Sequence, residues 1–184
     1  MEIVDLHQQD ASVREQAASV LLAGFAEIAP HWLASMEAAR LEVQECLDPS
    51  YLAYAALHGG VLAGWVGARP EYDGHVWEVH PLVVHPDCRR RGVGRALMEH
   101  LQTEARRAGG MTLWLGSDDH TGLTSAAGTW LYGDIWRHLR DLEDRGGHPL
   151  TFYRRLGFEA AGLLPDANGR GQPDIFFAKS LISQ

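Results

Sequence analysis

Long apolar runs, paired cysteines and net positive charge are all missing from this 184-residue sequence. No stretch approaches the ~20 apolar residues a membrane span needs, and the N-terminal MEIVDLHQQD lacks the basic start and apolar run of a secretory signal. The expectation is a cytoplasmic protein without a membrane partner. Cys46 and Cys88 are the only cysteines and form no CxxC pair, so neither a disulfide framework nor a thiolate metal site is expected. A formal charge of −8 opposes nucleic-acid binding and suits a cationic ligand if the acidic groups line a cleft. Apolar residues make up 46% and are spread along the chain. A chain of this size buries about 70% of its unfolded surface, enough for one self-supporting domain.

Periodicity supplies the elements. Asp10 to Glu27 reads as a helix, with Val13, Ala17, Val20, Leu21 and Gly24 at three- and four-residue spacing, and Pro30 ends it or bends the chain. Glu37 to Leu47 is a second helix, YLAYAAL-HGG-VLAGWVGA a hairpin, RPEYDGH a loop and VWEVHPLVV a third strand. Gly94 to Ala108 carries Leu97, Leu101, Ala105 and Ala108 on one stripe, closed by Gly109-Gly110. MTLWLG is a strand, 118–147 a polar and partly helical insertion, and Pro149 to Leu156 a short helix ended by Gly157. FEAAGLL and DIFFAKS are closing strands around the turn-rich DANGRGQP. The order ααβββαβ-insertion-αββ indicates a single α/β domain over 1–184, built on a mixed sheet.

One stretch runs against the charge balance. RRRGVGRAL, 89–97, gathers four arginines around a Gly-x-Gly turn at a helix start. Helix N-termini present unpaired N–H groups and the positive end of the dipole, and glycines allow close approach to an anion. A phosphate or diphosphate suits such a place. The stretch is no Walker loop, because no GK[ST] ends it, and no dinucleotide fingerprint, because Leu97 stands at the third glycine position. No aromatic–basic interleaving accompanies it, which also argues against nucleic acid.

In the strand before it, period two puts Glu78, His80, Leu82 and Val84 on one face and Trp77, Val79, Pro81 and Val83 on the other. Pro81 marks an edge or bulge, because proline cannot donate to a ladder. His80 and His85 differ in parity, which argues against a metal pair, and no metal is expected.

Arg89-Arg90-Arg91-Gly92-Val93-Gly94 after LVVHP resembles the acetyl-CoA loop of the GNAT superfamily of N-acetyltransferases. The resemblance implies a mixed central sheet with flanking helices and a strand splayed at the acetyl-CoA site. It implies cofactor contacts from Val83, Val84, Arg89, Arg90, Arg91, Gly92, Val93, Gly94, Arg95 and Tyr153. The chemistry of such a site is defined: an ammonium group must lose a proton, the oxyanion needs a donor, and the leaving thiolate needs an acid. Glu78 and His80 are candidate bases, directly or through water, the N–H of Leu82 a candidate oxyanion donor, and Tyr153, in the family-like HPLTFYRRLGF, a candidate acid or simply core. No cysteine lies on the Glu78 face and Cys88 precedes the arginines, which favours direct transfer in a ternary complex over an acetyl-cysteine.

WEVHPLVV, LGSDD, the insertion, HPLTFYRRLGF and LPDANGRGQPDIFFAKSL are similar, in order, to one branch of the aminoglycoside 6'-N-acetyltransferases. That branch implies a polycationic aminosugar acceptor, antibiotic resistance and a homodimer. It places Phe25, Glu27, Tyr72, Glu78, His80, Asp118 and Asp119 at the acceptor. Trp130 and Gly133 depart from it, standing where carboxylates are common. Two alternatives stay open: transfer to another small amine, polyamine or peptide, and a silent CoA-binding module.

Overall fold

The computed structural model describes residues 1–26 and 34–182. The chain divides into two compact units, 1–111 and 112–184, taken in turn.

The first unit holds four antiparallel strands in the order β1-β2-β3-β4: β1 (Glu2–Asp5), β2 (Leu52–His58), β3 (Val61–Glu71) and β4 (Val76–Val84). Three helices accompany them: α1 (Ala11–Phe25), α2 (Met36–Cys46) and α3 (Val93–Arg107). The helix starts follow from side-chain caps. Asp10 accepts from the Val13 amide and Ser35 from the Ala38 amide, each satisfying a donor the helix cannot. On α1 the buried stripe is Ala17, Ala18, Val20, Leu21 and Gly24, and a Cβ at Gly24 would collide with Val83. Trp65 is fully buried among these residues and donates its indole N–H to the Ala17 carbonyl at 3.0 Å. On α3, Leu97, Met98, Leu101 and Ala105 are fully buried, and each leucine contributes roughly 2 kcal/mol of apolar burial. Ala108, expected on that stripe, instead caps the helix and is exposed.

Two expectations need correction here. The order begins with a strand, because Glu2–Asp5 pairs with β2, as in Glu2↔Leu57. The first three residues of RPEYDGH are strand: Arg69↔Glu78, Pro70↔Trp77 and Glu71↔Val76 continue the hairpin. The chain turns over residues 72–75, with φ of 49°, 57° and 83° at Tyr72, Asp73 and Gly74. The proline and charges suggested a loop, but this end of the hairpin is held by cross-strand pairs.

The bulge expected at Pro81 is present. Val66 pairs with Leu82 and Ala68 with Val79, so His80 and Pro81 together oppose the single residue Gly67. A Cβ at Gly67 would lie 2.5 Å from the His80 carbonyl oxygen and 3.2 Å from Cys46 Sγ, so glycine is required for this approach. The His80–Pro81 peptide is cis.

In the second unit, β7 (Asp174–Ser180) pairs antiparallel with both β5 (Thr112–Asp118) and β6 (Glu159–Leu164). Leu113, Leu115, Ile175, Phe177, Leu150 and Phe158 form its buried side. Helices α4 (Ile135–Arg140) and α5 (Leu150–Arg155) are short, and Gly157 at φ 82° ends α5's turn as expected. The insertion is closed at its base by the Thr124↔Asp144 bridge and the flanking bonds Ser125 N–H to Glu143 and Arg145 N–H to Leu123.

Candidate active site

The two faces of β4 separate as period two demands. Trp77, Val79, Pro81 and Val83 are buried, while Glu78, Leu82 and Val84 are half-buried and His80 is exposed. The two candidate bases have different partners. Glu78 forms a salt bridge with Arg69, its cross-strand neighbour, which neutralises it and occupies lone pairs a base would use. His80 Nε2 lies 3.0 Å from Glu42 Oε1, a carboxylate on α2. A neutral imidazole bonded this way carries its proton on Nε2, the orienting arrangement a histidine base uses. Neither Arg69 nor Glu42 was found from sequence. Parity puts Arg69 on no motif, and Glu42 meets β4 only through packing of α2.

The loop after β4 shows a division of labour among its arginines. Arg89, itself exposed, is bonded to its own chain: its guanidinium donates to the Gly24 carbonyl at 2.8 Å and the Val84 carbonyl at 3.4 Å, fastening the loop to the ends of α1 and β4. Arg95 pairs with Glu99 one turn along α3, at 2.7 Å. Arg90 and Arg91 are exposed. Gly92 is the N-cap of α3 in the left-handed region, φ 84°, and supplies no side-chain cap. The first backbone bond of the helix is Ala96 N–H to the Gly92 carbonyl, which leaves the amides of Val93, Gly94 and Arg95 for an outside acceptor. A Cβ at Gly92 would meet nothing within 4 Å, so glycine serves the backbone conformation there. Three uncapped amides, a helix dipole and two exposed guanidiniums fit a diphosphate.

The acidic pair after β5 is divided as well. Asp118 is exposed and accepts from Asn168 Nδ2 at 2.6 Å. Asp119 is 1% exposed, and its carboxylate accepts from the Leu123 amide, the Thr124 amide and the Thr124 hydroxyl at 2.6–2.8 Å. This corrects the expectation that both attract ammonium groups: Asp119 is the anchor that folds the start of the insertion. A carboxylate missed from sequence, Asp174, is the register partner of Asp118 across β5 and β7. Burial, reinforced by the Asp118 charge, pushes its carboxyl up to about 6. Asp118 and the PDI motif stand 56 positions apart, and only the strand register unites them.

Tyr153 is packed against the rings of Phe152, Phe158 and Phe177 at 5.2–5.8 Å. Burial raises its phenol above the ordinary value, keeping the hydroxyl a neutral donor throughout the physiological range. Tyr72 is 75% exposed at the tip of the β3–β4 hairpin. Phe25 ends α1, half-buried against the first unit's core, and Glu27 lies outside the described residues. Burial pushes the Cys46 thiol up to about 12, which disqualifies it as a nucleophile. Among the described residues, no group of three or more His, Cys, Asp or Glu is placed to hold a metal, and no helix is long and apolar enough to cross a membrane.

The loop, the bulged strand and the helix that follows them suit an acyl-CoA-dependent transferase. The chain belongs to the acetyltransferase (GNAT) family, whose model matches residues 16–127. It is similar over its full length to an aminoglycoside 6'-N-acetyltransferase crystallised with coenzyme A, at 32% identity and a TM-score of 0.93, covering 99% of that chain. It is similar over the same extent to the aminoglycoside 6'-N-acetyltransferase from Enterococcus faecium, at 32% identity and a TM-score of 0.89. An aminoglycoside 6'-acetyltransferase of type Ii follows at 30% and 0.76, again with 99% of that chain covered. No curated protein matches the sequence. The mixed α/β fold is that of the GNAT family.

Proposed function

We propose that this acetyltransferase transfers the acetyl group of acetyl-CoA to the 6'-amino group of aminoglycosides by direct attack in a ternary complex, conferring resistance. The observation that carries the acceptor assignment is the end-to-end similarity to the coenzyme A-bound aminoglycoside 6'-N-acetyltransferase. The family match runs through the boundary between the two units at 111/112, which supports one acetyltransferase domain over 1–184.

Acetyl-CoA is the cosubstrate and supplies, when bound, the thioester acyl group. In this reading the amides of Val93, Gly94 and Arg95, with Arg90 and Arg91, hold its diphosphate, while the Val83 and Val84 backbone aligns the pantetheine arm. Arg89 contributes by fixing the loop. His80, oriented by Glu42, or Glu78 takes the amine proton, directly or through water. The Leu82 N–H stabilises the oxyanion, and Tyr153 donates its proton to the departing thiolate. Asp118, Tyr72, Phe25 and Glu27 carry the acceptor-binding roles that the similarity implies. The enzyme works as a homodimer in the cytoplasm.

The test follows CoA thiol release with purified protein and a panel of kanamycin-type aminoglycosides, polyamines and peptides. Turnover of 6'-amino compounds with none of their 6'-hydroxyl counterparts is expected. Turnover confined to peptides or simple amines refutes the acceptor assignment, and CoA binding without turnover refutes the enzyme. Of Glu78→Gln and His80→Ala, the variant with an unaltered pH–rate profile identifies the residue that is not the titrating base.

A further inference from the structure

We infer that Asn168 is a positioning residue of the acceptor site, holding the Asp118 carboxylate in the orientation that receives an ammonium group. This inference rests on the acceptor role proposed above for Asp118.

The turn containing Asn168 closes on itself through its backbone. Asn168 N–H bonds the Gln172 carbonyl at 3.0 Å, Gly169 N–H the Asp166 carbonyl at 3.2 Å, and Gln172 N–H the Gly169 carbonyl at 2.9 Å. Asp166 adds a side-chain acceptor for the Gly171 amide at 2.6 Å. The turn is also tied to the insertion: Gly128 N–H donates to the Gly171 carbonyl at 2.8 Å, and a Cβ at Gly171 would stand 3.2 Å from the Gly128 Cα. None of these bonds uses the Asn168 amide side chain. Among the described residues that group makes a single bond of its own, Nδ2 to Asp118 Oδ1 at 2.6 Å.

The direction of that bond follows from chemistry. An ionised carboxylate only accepts, so Asn168 presents its NH2 group to Asp118. An exposed aspartate at a strand end otherwise rotates freely about χ1 and χ2. A donor mounted on a rigid turn selects one rotamer and engages one oxygen, leaving Oδ2 for a cation. The ordering cost is thereby met before the acceptor arrives, which is how preorganisation raises affinity. A stabilising role is the competing explanation. Asp118 and Asp174 are like charges directly opposite one another, and an NH2 group beside them relieves some repulsion.

The two roles separate in steady-state kinetics of the full-length enzyme with kanamycin and acetyl-CoA. Asn168→Ala is expected to raise the KM for kanamycin about tenfold, the effect of one charge-assisted hydrogen bond, and to leave the KM for acetyl-CoA unchanged. In a cycle with Asp118→Ala, adding Asn168→Ala is expected to cost nothing more, because its target is gone. Asn168→Ser, too short to reach Asp118, repeats the measurement if the alanine variant folds poorly. An unchanged kanamycin KM, or an equal further loss in the Asp118→Ala background, overturns the inference alone. So does a fall in melting temperature at pH 8 that vanishes at pH 5 with the KM unaltered, which marks a stabilising role. Absence of wild-type turnover with every amine in the panel overturns the acceptor reading, and this inference with it.

Discussion

Replacing Asp174 with asparagine should stabilise the protein, and only above a defined pH. Asp174 is half-buried on β7 opposite Asp118, and its carboxyl is raised from 3.8 to about 6, first by burial and second by the Asp118 charge. A folded-state value above the unfolded one means that the folded chain holds the proton more tightly. Below pH ~4 both states are protonated and the group is neutral toward stability. Between about 4 and 6 the unfolded chain ionises first, so stability falls as pH rises, and above 6 the whole penalty is in place. A shift of about two pH units corresponds to about 3 kcal/mol. Solvent screening of a partly exposed carboxylate reduces this to roughly 1–2 kcal/mol.

Asp174→Asn keeps the shape and removes the charge. Its melting temperature at pH 8 should exceed the wild-type value by about 3–6 °C for a chain of this size, with the gain shrinking to zero near pH 4. His148 contributes a pH dependence of opposite sign. Burial lowers its imidazole, so its contribution to stability is lost as pH falls below its unfolded value of 6.5. Taking the difference between wild type and variant at each pH cancels that contribution, because His148 is present in both. Thermal melts from pH 4 to 8 make the measurement. A gain that is uniform across pH, larger at pH 4, or absent at pH 8 refutes the reasoning.

Three further outcomes follow from the same structure. Gly92→Ala should cost about 1 kcal/mol of stability from the positive φ alone, since the new Cβ meets open space, and should weaken CoA binding by disturbing the helix start that presents the amides; calorimetric titration with CoA and a thermal melt check both parts. Arg91→Ala should raise the KM for acetyl-CoA without altering the melting temperature, whereas Arg89→Ala should lower the melting temperature by freeing the Gly24 and Val84 carbonyls; the reverse pattern would show the loop's division of labour to be wrong. Tyr153→Phe preserves the ring packing and removes the donor, and kcat should fall about a hundredfold if the hydroxyl is the acid, with full turnover leaving Tyr153 a core residue.

What the sequence made legible is what repeats along a chain. The α1 and α3 stripes, the alternation of β4 and the Gly157 stop all depend on spacing within one element, and the side chains follow the spacing. The Pro81 bulge was legible for a related reason, because proline lacks a donor wherever it stands. β1 was not, since four residues with mixed burial carry no period and form a strand only because β2 offers an edge. The Arg69–Glu71 end of β3 was missed because Pro70 and two charges resemble a turn, while the pairing that keeps them extended belongs to β4.

Function was harder to read than fold for one physical reason. A motif specifies which donors and acceptors exist, whereas a site depends on those left over after folding. Arg89 and Arg91 are equivalent in RRRGVGRAL and both are exposed, yet the Arg89 guanidinium is bonded to two carbonyls of α1 and β4. Asp118 and Asp119 are equivalent in LGSDD, yet one is exposed and the other is buried under three donors. In both pairs the residue bonded to its own chain builds the loop that presents the other. Like charges on one turn therefore divide into an anchor and a contact according to the hydrogen bonds the turn takes from them, not according to exposure alone. The anchor is recognised by its count of hydrogen bonds to its own chain, and substitution there should register as lost stability before it registers as lost affinity.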